Sequence, residues 1–140
     1  MIKAVLFDWG NVLRSKKTLR RSRDIYSLAS QLYQHGVKTG ILSNVWRIAA
    51  MVVYFLRDYR GFDPVILSYK VRVRKPDIKI YQIAVQKLDL EPKEVLFVDN
   101  LAANITAAKK FGMRTVLAQN SEQVVAEIKK MLLRENNLKL

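Results

Sequence analysis

The sequence predicts an α/β fold built on a parallel sheet. Two observations carry that prediction. Short, continuously apolar runs alternate with segments of helical periodicity. Two of those runs end in a carboxylate, Asp8 after Ala4-Val5-Leu6-Phe7 and Asp99 after Val95-Leu96-Phe97-Val98. A strand covered on both faces needs no polar alternation. In an open α/β sheet the carboxyl ends of the strands are where ligands bind.

The elements follow in chain order. Ile2–Phe7 is the first strand. Ile25, Leu28, Ala29 and Leu32 then mark one face of a helix stopped by Gly36, with His35 as a capping or surface residue. Thr39–Leu42 is the second strand. The segment Trp46–Leu56 is apolar nearly all round, which predicts a core helix first and a self-association patch second. Val65–Leu67 is the third strand. Ile80, Ile83, Ala84 and Leu88 mark a helix with Pro76 in its first turn and Asp77 near its positive end. Val95–Val98 is the fourth strand, after which Asn100 is expected to cap a helix running to Phe111 and closed by Gly112. Thr115–Leu117 is the fifth. Val124, Val125, Ile128, Met131 and Leu132 define the last helix, and the polar tail from Arg134 is expected to fray.

At 140 residues the chain fits a single domain, 1–140. No cysteine is present, which excludes disulfides, thiolate chemistry and Cys-based zinc sites. The first strand begins at once, leaving no room for a signal peptide, and a cytoplasmic location is expected. The longest apolar run, Ile48 to Leu56, has nine residues, too few to span a bilayer, so no membrane partner is expected. The net charge of +13 is uneven: +11 over residues 1–75 and +2 over 76–140. Such a field favours anionic partners. The bland reading of the basic cluster Arg14, Lys16, Lys17, Arg20, Arg21, Arg23 is a solvated face.

Four polar signatures fall at strand ends in order: Asp8-Trp9-Gly10-Asn11, Ser43-Asn44, Lys75-Pro76 and Asp99-Asn100. Together they offer a carboxylate nucleophile, hydroxyl and amide donors, a cation and a second carboxylate. That set suits phosphoryl transfer, where positioning and charge neutralisation do most of the work. Two close carboxylates repel unless a cation lies between them or one is protonated, and a hard divalent ion such as Mg²⁺ is the natural partner. Each signature has a plainer reading. Ser43-Asn44 and Asn100 serve equally as helix caps, Gly10-Asn11 as a turn, and Lys75 as a solvated helix-start residue. Trp9 and Trp46, which flank the site in sequence, read first as core packing.

With these motifs in this order the sequence resembles the haloacid dehalogenase-like superfamily of phosphatases over nearly the whole chain. The stretch from Phe62-Asp63 through Ser68, Arg74-Lys75-Pro76-Asp77 and Ile80-Tyr81 resembles that family's third motif. Val95 to Asn100, followed by Asn104-Ile105 and Ala107-Ala108, resembles the fourth. The resemblance implies a three-layer Rossmann-like fold with strand order 5-4-1-2-3, helices on both faces and no cap domain, since only residues 12–42 separate the first two motifs. It implies Asp8 as the nucleophile that becomes an aspartyl phosphate and Mg²⁺ held by Asp8, the Gly10 carbonyl and Asp99. Ser43 and the Asn44 backbone N–H would hold phosphate oxygens, and Lys75 would neutralise charge.

Three departures from the family pattern stand out. Gly10 replaces the usual acid/base aspartate, Asn100 replaces a second acid, and Arg72 replaces a glycine common before the Lys-Pro pair, which implies an altered loop. The expected function is Mg²⁺-dependent phosphatase action on a phosphorylated small molecule or polyanion, nucleic acid included. The alternative is a catalytically weak or inactive phosphate-binding module. Dehalogenation at carbon ranks last, because it needs an enclosed apolar pocket. An open mouth is expected, rimmed by the Arg14–Arg23 cluster on one side and by Lys70, Arg72 and Arg74 on the other. A homo-oligomer through the 46–56 segment is the remaining partner expectation.

Overall fold

In the computed structural model, residues 1–15, 17–18, 20–55 and 57–140 are described. Lys16 of the basic cluster, Leu19, and Leu56 at the end of the apolar segment lie outside them. Five strands, β1 (Ala4–Phe7), β2 (Lys38–Ser43), β3 (Val65–Leu67), β4 (Val95–Asp99) and β5 (Arg114–Leu117), form one sheet in the order β3-β2-β1-β4-β5. Every pairing is parallel, and the order is the expected one read from the other edge. The helices are α1 (Arg23–Gln34), α2 (Arg47–Phe55), α3 (Ser68–Val71), α4 (Ile78–Leu88), α5 (Ala102–Phe111) and α6 (Ser121–Asn136).

The strand period of two sorts the core into two layers. Val5, Phe7, Ile41, Leu96 and Val98 face Ile25, Leu28 and Leu32 of α1 and Val124, Ile128 and Leu132 of α6. Ala4, Leu6, Leu42, Ile66 and Phe97 face Ile80, Tyr81, Ala84 and Leu88 of α4 and Ala108 of α5. Gly40 is required where β2 passes beneath its neighbours: a Cβ there would meet Leu6 Cδ2 and the Pro64 carbonyl oxygen at 2.7 Å. Gly112 closes α5 with φ 102°, as the sequence predicts.

Several expectations are corrected. α2 is not a core helix. Of its described side chains only that of Ala50 is buried, while Ile48, Met51, Val52, Tyr54 and Phe55 are exposed, as is Trp46 just before it. The reason is space, because α1 and α6 already fill that face of the sheet and β3, next to which α2 falls, is an edge strand of three residues. The C-terminal tail does not fray at Arg134. α6 continues to Asn136, whose side chain accepts from the Ile2 backbone N–H at 2.8 Å and donates to the Ile2 carbonyl at 2.6 Å. Pro76 precedes α4 rather than starting it, and Asp77 is the N-cap, accepting from Lys79 N–H. Asn100 caps nothing: α5 begins two residues later, and Asp99 Oδ1 makes the turn by accepting from Leu101 N–H at 2.8 Å.

Candidate active site

Parallel register brings the two carboxylates together. Phe7 pairs with Val98, and the Asp8 N–H donates to the Val98 carbonyl at 2.8 Å. Asp8 and Asp99 therefore leave adjacent strands at the same level. β2 runs past β1 on the other side and delivers Ser43 and Asn44. Lys75 reaches the same point from the loop between α3 and α4. Asp8, Ser43, Lys75 and Asp99 are all buried.

The Lys75 ammonium lies between the carboxylates. Its Nζ donates to Asp8 Oδ1 at 2.8 Å, to Asp99 Oδ2 at 2.6 Å and to the Leu42 carbonyl at 2.8 Å. It also sits 5.1 Å from the centre of the Phe97 ring. The plain reading of Lys75 as a solvated helix-start residue is therefore wrong. Burial raises the Asp8 carboxyl above its ordinary value; Lys75 opposes that rise, the Asp99 charge adds to it, and a hydrogen bond from Ser43 lowers it.

Two residues hold this arrangement and were not given these roles from sequence. Asn44 clamps Lys75 by its backbone, accepting from Lys75 N–H and donating to the Lys75 carbonyl, both at 2.9 Å. Asn104, on the first turn of α5, donates to Asp99 Oδ2 at 2.9 Å, and its carbonyl accepts from the Tyr81 hydroxyl at 2.9 Å. The signal for Asn104 was its spacing of five from Asp99, which returns an amide to the strand end once the turn is made.

The loop after Asp8 is pinned from below. Asp58, fully buried, accepts from Trp9 Nε1 at 2.8 Å, from Arg14 Nε at 2.5 Å and Nη2 at 2.7 Å, and from Arg21 Nε at 2.6 Å. Its carbonyl accepts from the Tyr26 hydroxyl at 3.0 Å. Burial pushes the Asp58 carboxyl up, but the donors from Arg14, Trp9 and Arg21 together hold it below its ordinary value. The Arg14–Arg23 cluster is thus not simply a solvated face: Arg14 is buried against Asp58 and Arg21 partly so. Arg20 is exposed and lines an open trough of about 560 Å³ with Asn11, Asn100 and Ser121. Trp9 is half-buried and packs on the core, as expected, whereas Trp46 is not core. Arg72 adopts φ 56°, the left-handed conformation a glycine would take without strain, so the replacement keeps the turn that ends α3.

The fold, the strand-end carboxylates and the comparisons agree on the class. Residues 1–118 match the model of the haloacid dehalogenase-like hydrolases, and the chain belongs to that family. It is similar to acyl-CoA dehydrogenase family member 10 of Mus musculus, 28% identical over 122 residues that cover 87% of this chain and 11% of that protein. The chain spans only 11% to 21% of the length of the first curated relatives it matches. Among solved structures it resembles an uncharacterized protein from Corynebacterium glutamicum, with TM-score 0.81 and 26% identity, covering 94% of this chain and 95% of the other. It also shares the fold of a HAD family enzyme from Bacteroides thetaiotaomicron solved as a variant with magnesium and inorganic phosphate. There the TM-score is 0.70 and the identity 17%, over 85% of this chain and 95% of that one.

Among the described residues no cluster of three or more His, Cys, Asp or Glu side chains forms a metal site. The oxygen donors present nevertheless fit Mg²⁺. With both carboxylates ionised against one ammonium, the group carries one negative charge in excess, which a bound cation would offset.

Proposed function

We propose that the protein is a Mg²⁺-dependent phosphoric monoester hydrolase acting through an aspartyl phosphate on Asp8. The observation that carries this reading is the Lys75 ammonium shared by two buried carboxylates at adjacent strand ends. Asp8, Asp99 and the Gly10 carbonyl would hold the ion, which would supply charge neutralisation for the phosphoryl oxygens.

In the chemical step an Asp8 carboxylate oxygen forms a bond to phosphorus as the ester P–O bond breaks. The leaving oxygen departs with the bonding pair and takes a proton from solvent water, since Gly10 offers none. Water then attacks phosphorus, releasing inorganic phosphate and restoring the carboxylate. Lys75 opposes the rise that burial imposes on the Asp8 carboxyl and would neutralise the incoming phosphoryl group. The Ser43 hydroxyl and the Asn44 N–H would bind its oxygens. The substrate class is a phosphorylated small molecule or polyanion. The exposed Arg20 at the trough beside Asn11 and Asn100 supports that class.

Gly10 stands where a leaving-group acid would sit. A positioned acid contributes ~10²–10⁴-fold to such a step. Aryl and acyl phosphates are therefore expected to turn over far faster than alkyl ones. The test is kcat/KM across a series of leaving groups with and without Mg²⁺, in wild type and Asp8→Asn. The expected result is Mg²⁺-dependent turnover, steep in leaving-group pKa and absent in Asp8→Asn. Undiminished activity in Asp8→Asn overturns the mechanism. The missing acid also favours a second reading, a phosphate-binding module on the same fold; inorganic phosphate binding without turnover of any ester would select it.

A further inference from the structure

α2 turns its apolar side chains outward. Trp46 is 72% exposed, Ile48 79%, Met51 66%, Val52 53% and Phe55 87%. A contiguous exposed patch of this kind marks an interaction surface rather than ordinary surface chemistry.

The patch is bordered by positive charge. Arg47, Arg57 and Arg60 on the same segment are exposed, as are Lys70, Arg72 and Arg74 on the stretch that leads to the site. Two of these cations lie directly on the aromatic members of the patch. Lys70 Nζ donates to the Tyr54 hydroxyl at 2.5 Å and sits 4.8 Å from its ring centre. The Arg74 guanidinium lies 5.1 Å from the Trp46 ring centre. The acid within residues 44–62 is Asp58, and it is buried under Arg14 and Arg21. Residues 68–76 contain none. The surface therefore presents hydrocarbon and positive charge together.

That combination selects the occupant. A second copy would bring one basic rim up against another, on a chain already carrying +13, because a two-fold contact pairs a patch with itself. An anionic phospholipid surface supplies both complements, acyl hydrocarbon below and fixed negative charge above. A helix of nine residues is about 14 Å long, too short to cross a bilayer but suited to lying in its interface. Trp and Tyr prefer the headgroup level, and Lys and Arg are drawn to anionic leaflets.

The short apolar run excludes only a spanning segment, and against the expectation of no membrane partner we propose that α2, with its rim of Arg47, Lys70 and Arg74, docks the protein peripherally on anionic membranes. The inference stands whether or not the site turns over. α2 follows Ser43 and Asn44 by only a few residues, so docking would hold the strand-end site close to the headgroups.

The test is co-sedimentation of the full chain with phosphatidylcholine vesicles and with phosphatidylcholine–phosphatidylglycerol vesicles, read together with tryptophan emission. Trp9 is fixed by its bond to Asp58, so a blue shift abolished by Trp46→Phe reports Trp46 entering the interface. Binding is expected for the anionic vesicles alone, weakening as salt rises. Ile48→Ser with Phe55→Ser is expected to reduce it at least ~10-fold while leaving charge and fold unchanged. Arg47→Gln with Lys70→Gln and Arg74→Gln is expected to abolish the preference for anionic lipid. The proposal is overturned if the folded chain ignores anionic vesicles at low salt, or if it binds neutral vesicles equally. It also fails if the Ser variant binds as well as wild type, which would leave only the general basic charge. A dimer seen by analytical ultracentrifugation and lost in Phe55→Ser, without vesicle binding, would assign the patch to a second copy instead.

Discussion

The protein buries two ion clusters with opposite imbalances. At the strand ends, two carboxylates, Asp8 and Asp99, share the single ammonium of Lys75. Under the loop that follows β1, the single carboxylate of Asp58 is shared by the guanidiniums of Arg14 and Arg21. In the second cluster the excess charge is tolerable because the Arg21 side chain is 42% exposed and hydrated. Both Asp58 oxygens are saturated by forked donors, and the carboxyl is held below its ordinary value. In the first cluster the carboxylates are nearly enclosed: Asp99 is fully buried, the Asp8 side chain is only 12% exposed, and burial drives the Asp8 carboxyl upward. One cluster is closed and ties the loop down. The other is left wanting positive charge or a proton, and on that feature the proposed metal and phosphoryl site rests.

The largest effect should come from breaking the strand-end cluster. Lys75→Met leaves two buried carboxylates facing each other, and removing one partner of a buried pair costs about 3–5 kcal/mol. Turnover should be lost. The distinguishing measurement is Mg²⁺ dependence of the melting temperature. A divalent ion that binds only the folded state stabilises by mass action, and with the ammonium gone it should raise Tm more in Lys75→Met than in wild type. If Mg²⁺ shifts neither protein, the carboxylates are not a metal site.

Breaking the closed Asp58 cluster should cost less. Asp58→Asn keeps the shape and one acceptor but leaves the buried Arg14 without its counter-charge. Hydrogen bonds to charged groups are worth roughly 1.5–3 kcal/mol, and a urea midpoint should fall accordingly. Gly10 sits on the loop these bonds hold, so turnover of an aryl phosphate should also fall, whereas free Mg²⁺ should restore little stability.

The same carboxylate gives the cluster a pH signature. The native Asp58 pKa is depressed, so its contribution is fully present above the ordinary carboxylate value, near 4. It is lost as pH falls from there through the lower native value. The stability gap between wild type and Asp58→Asn should therefore be constant around neutrality and close on acidification below about pH 4. A gap that stays open in acid would mean the stabilisation comes from shape rather than charge.

Most of the frame was legible in the sequence because burial on both faces writes itself as uninterrupted apolar runs. The five strands, Asp8, Asp99 and the Gly112 stop follow from that pattern and from the residues that end it, whereas the role of Lys75 came from the family resemblance. What the sequence hid depends on partners far away along the chain. Asp58 looks like an ordinary loop acid until folding brings it to Arg14, 44 positions away. Asn44 reads as a cap and Asn104 only as part of the fourth motif, whereas their amides are spent on Lys75 and Asp99. α2 misled for another reason: apolar composition states a preference for burial, but α1 and α6 had already taken the face that would have granted it.

The smallest expected effect separates the two arginines of the Asp58 cluster. Arg14 reaches both carboxylate oxygens, through Nε and Nη2, from a side chain only 9% exposed. Arg21 also lies on the Tyr26 ring, 5.4 Å from its centre, but much of it faces water. Exposed ion pairs are worth about 0.2–1 kcal/mol, because solvent screens the charge and the long side chain loses entropy on pairing. Arg21→Gln should accordingly lower stability by less than about 1 kcal/mol, and added salt should shrink even that. Arg14→Gln leaves Asp58 buried with, among the described residues, Trp9 and Arg21 to satisfy it and should cost several times more, with little salt dependence. Denaturant midpoints for the two variants at low and high salt decide the matter. Equal costs would mean that the two guanidiniums act as one network in which exposure does not matter, and the closed character assigned to this cluster would then rest on both arginines rather than on Arg14.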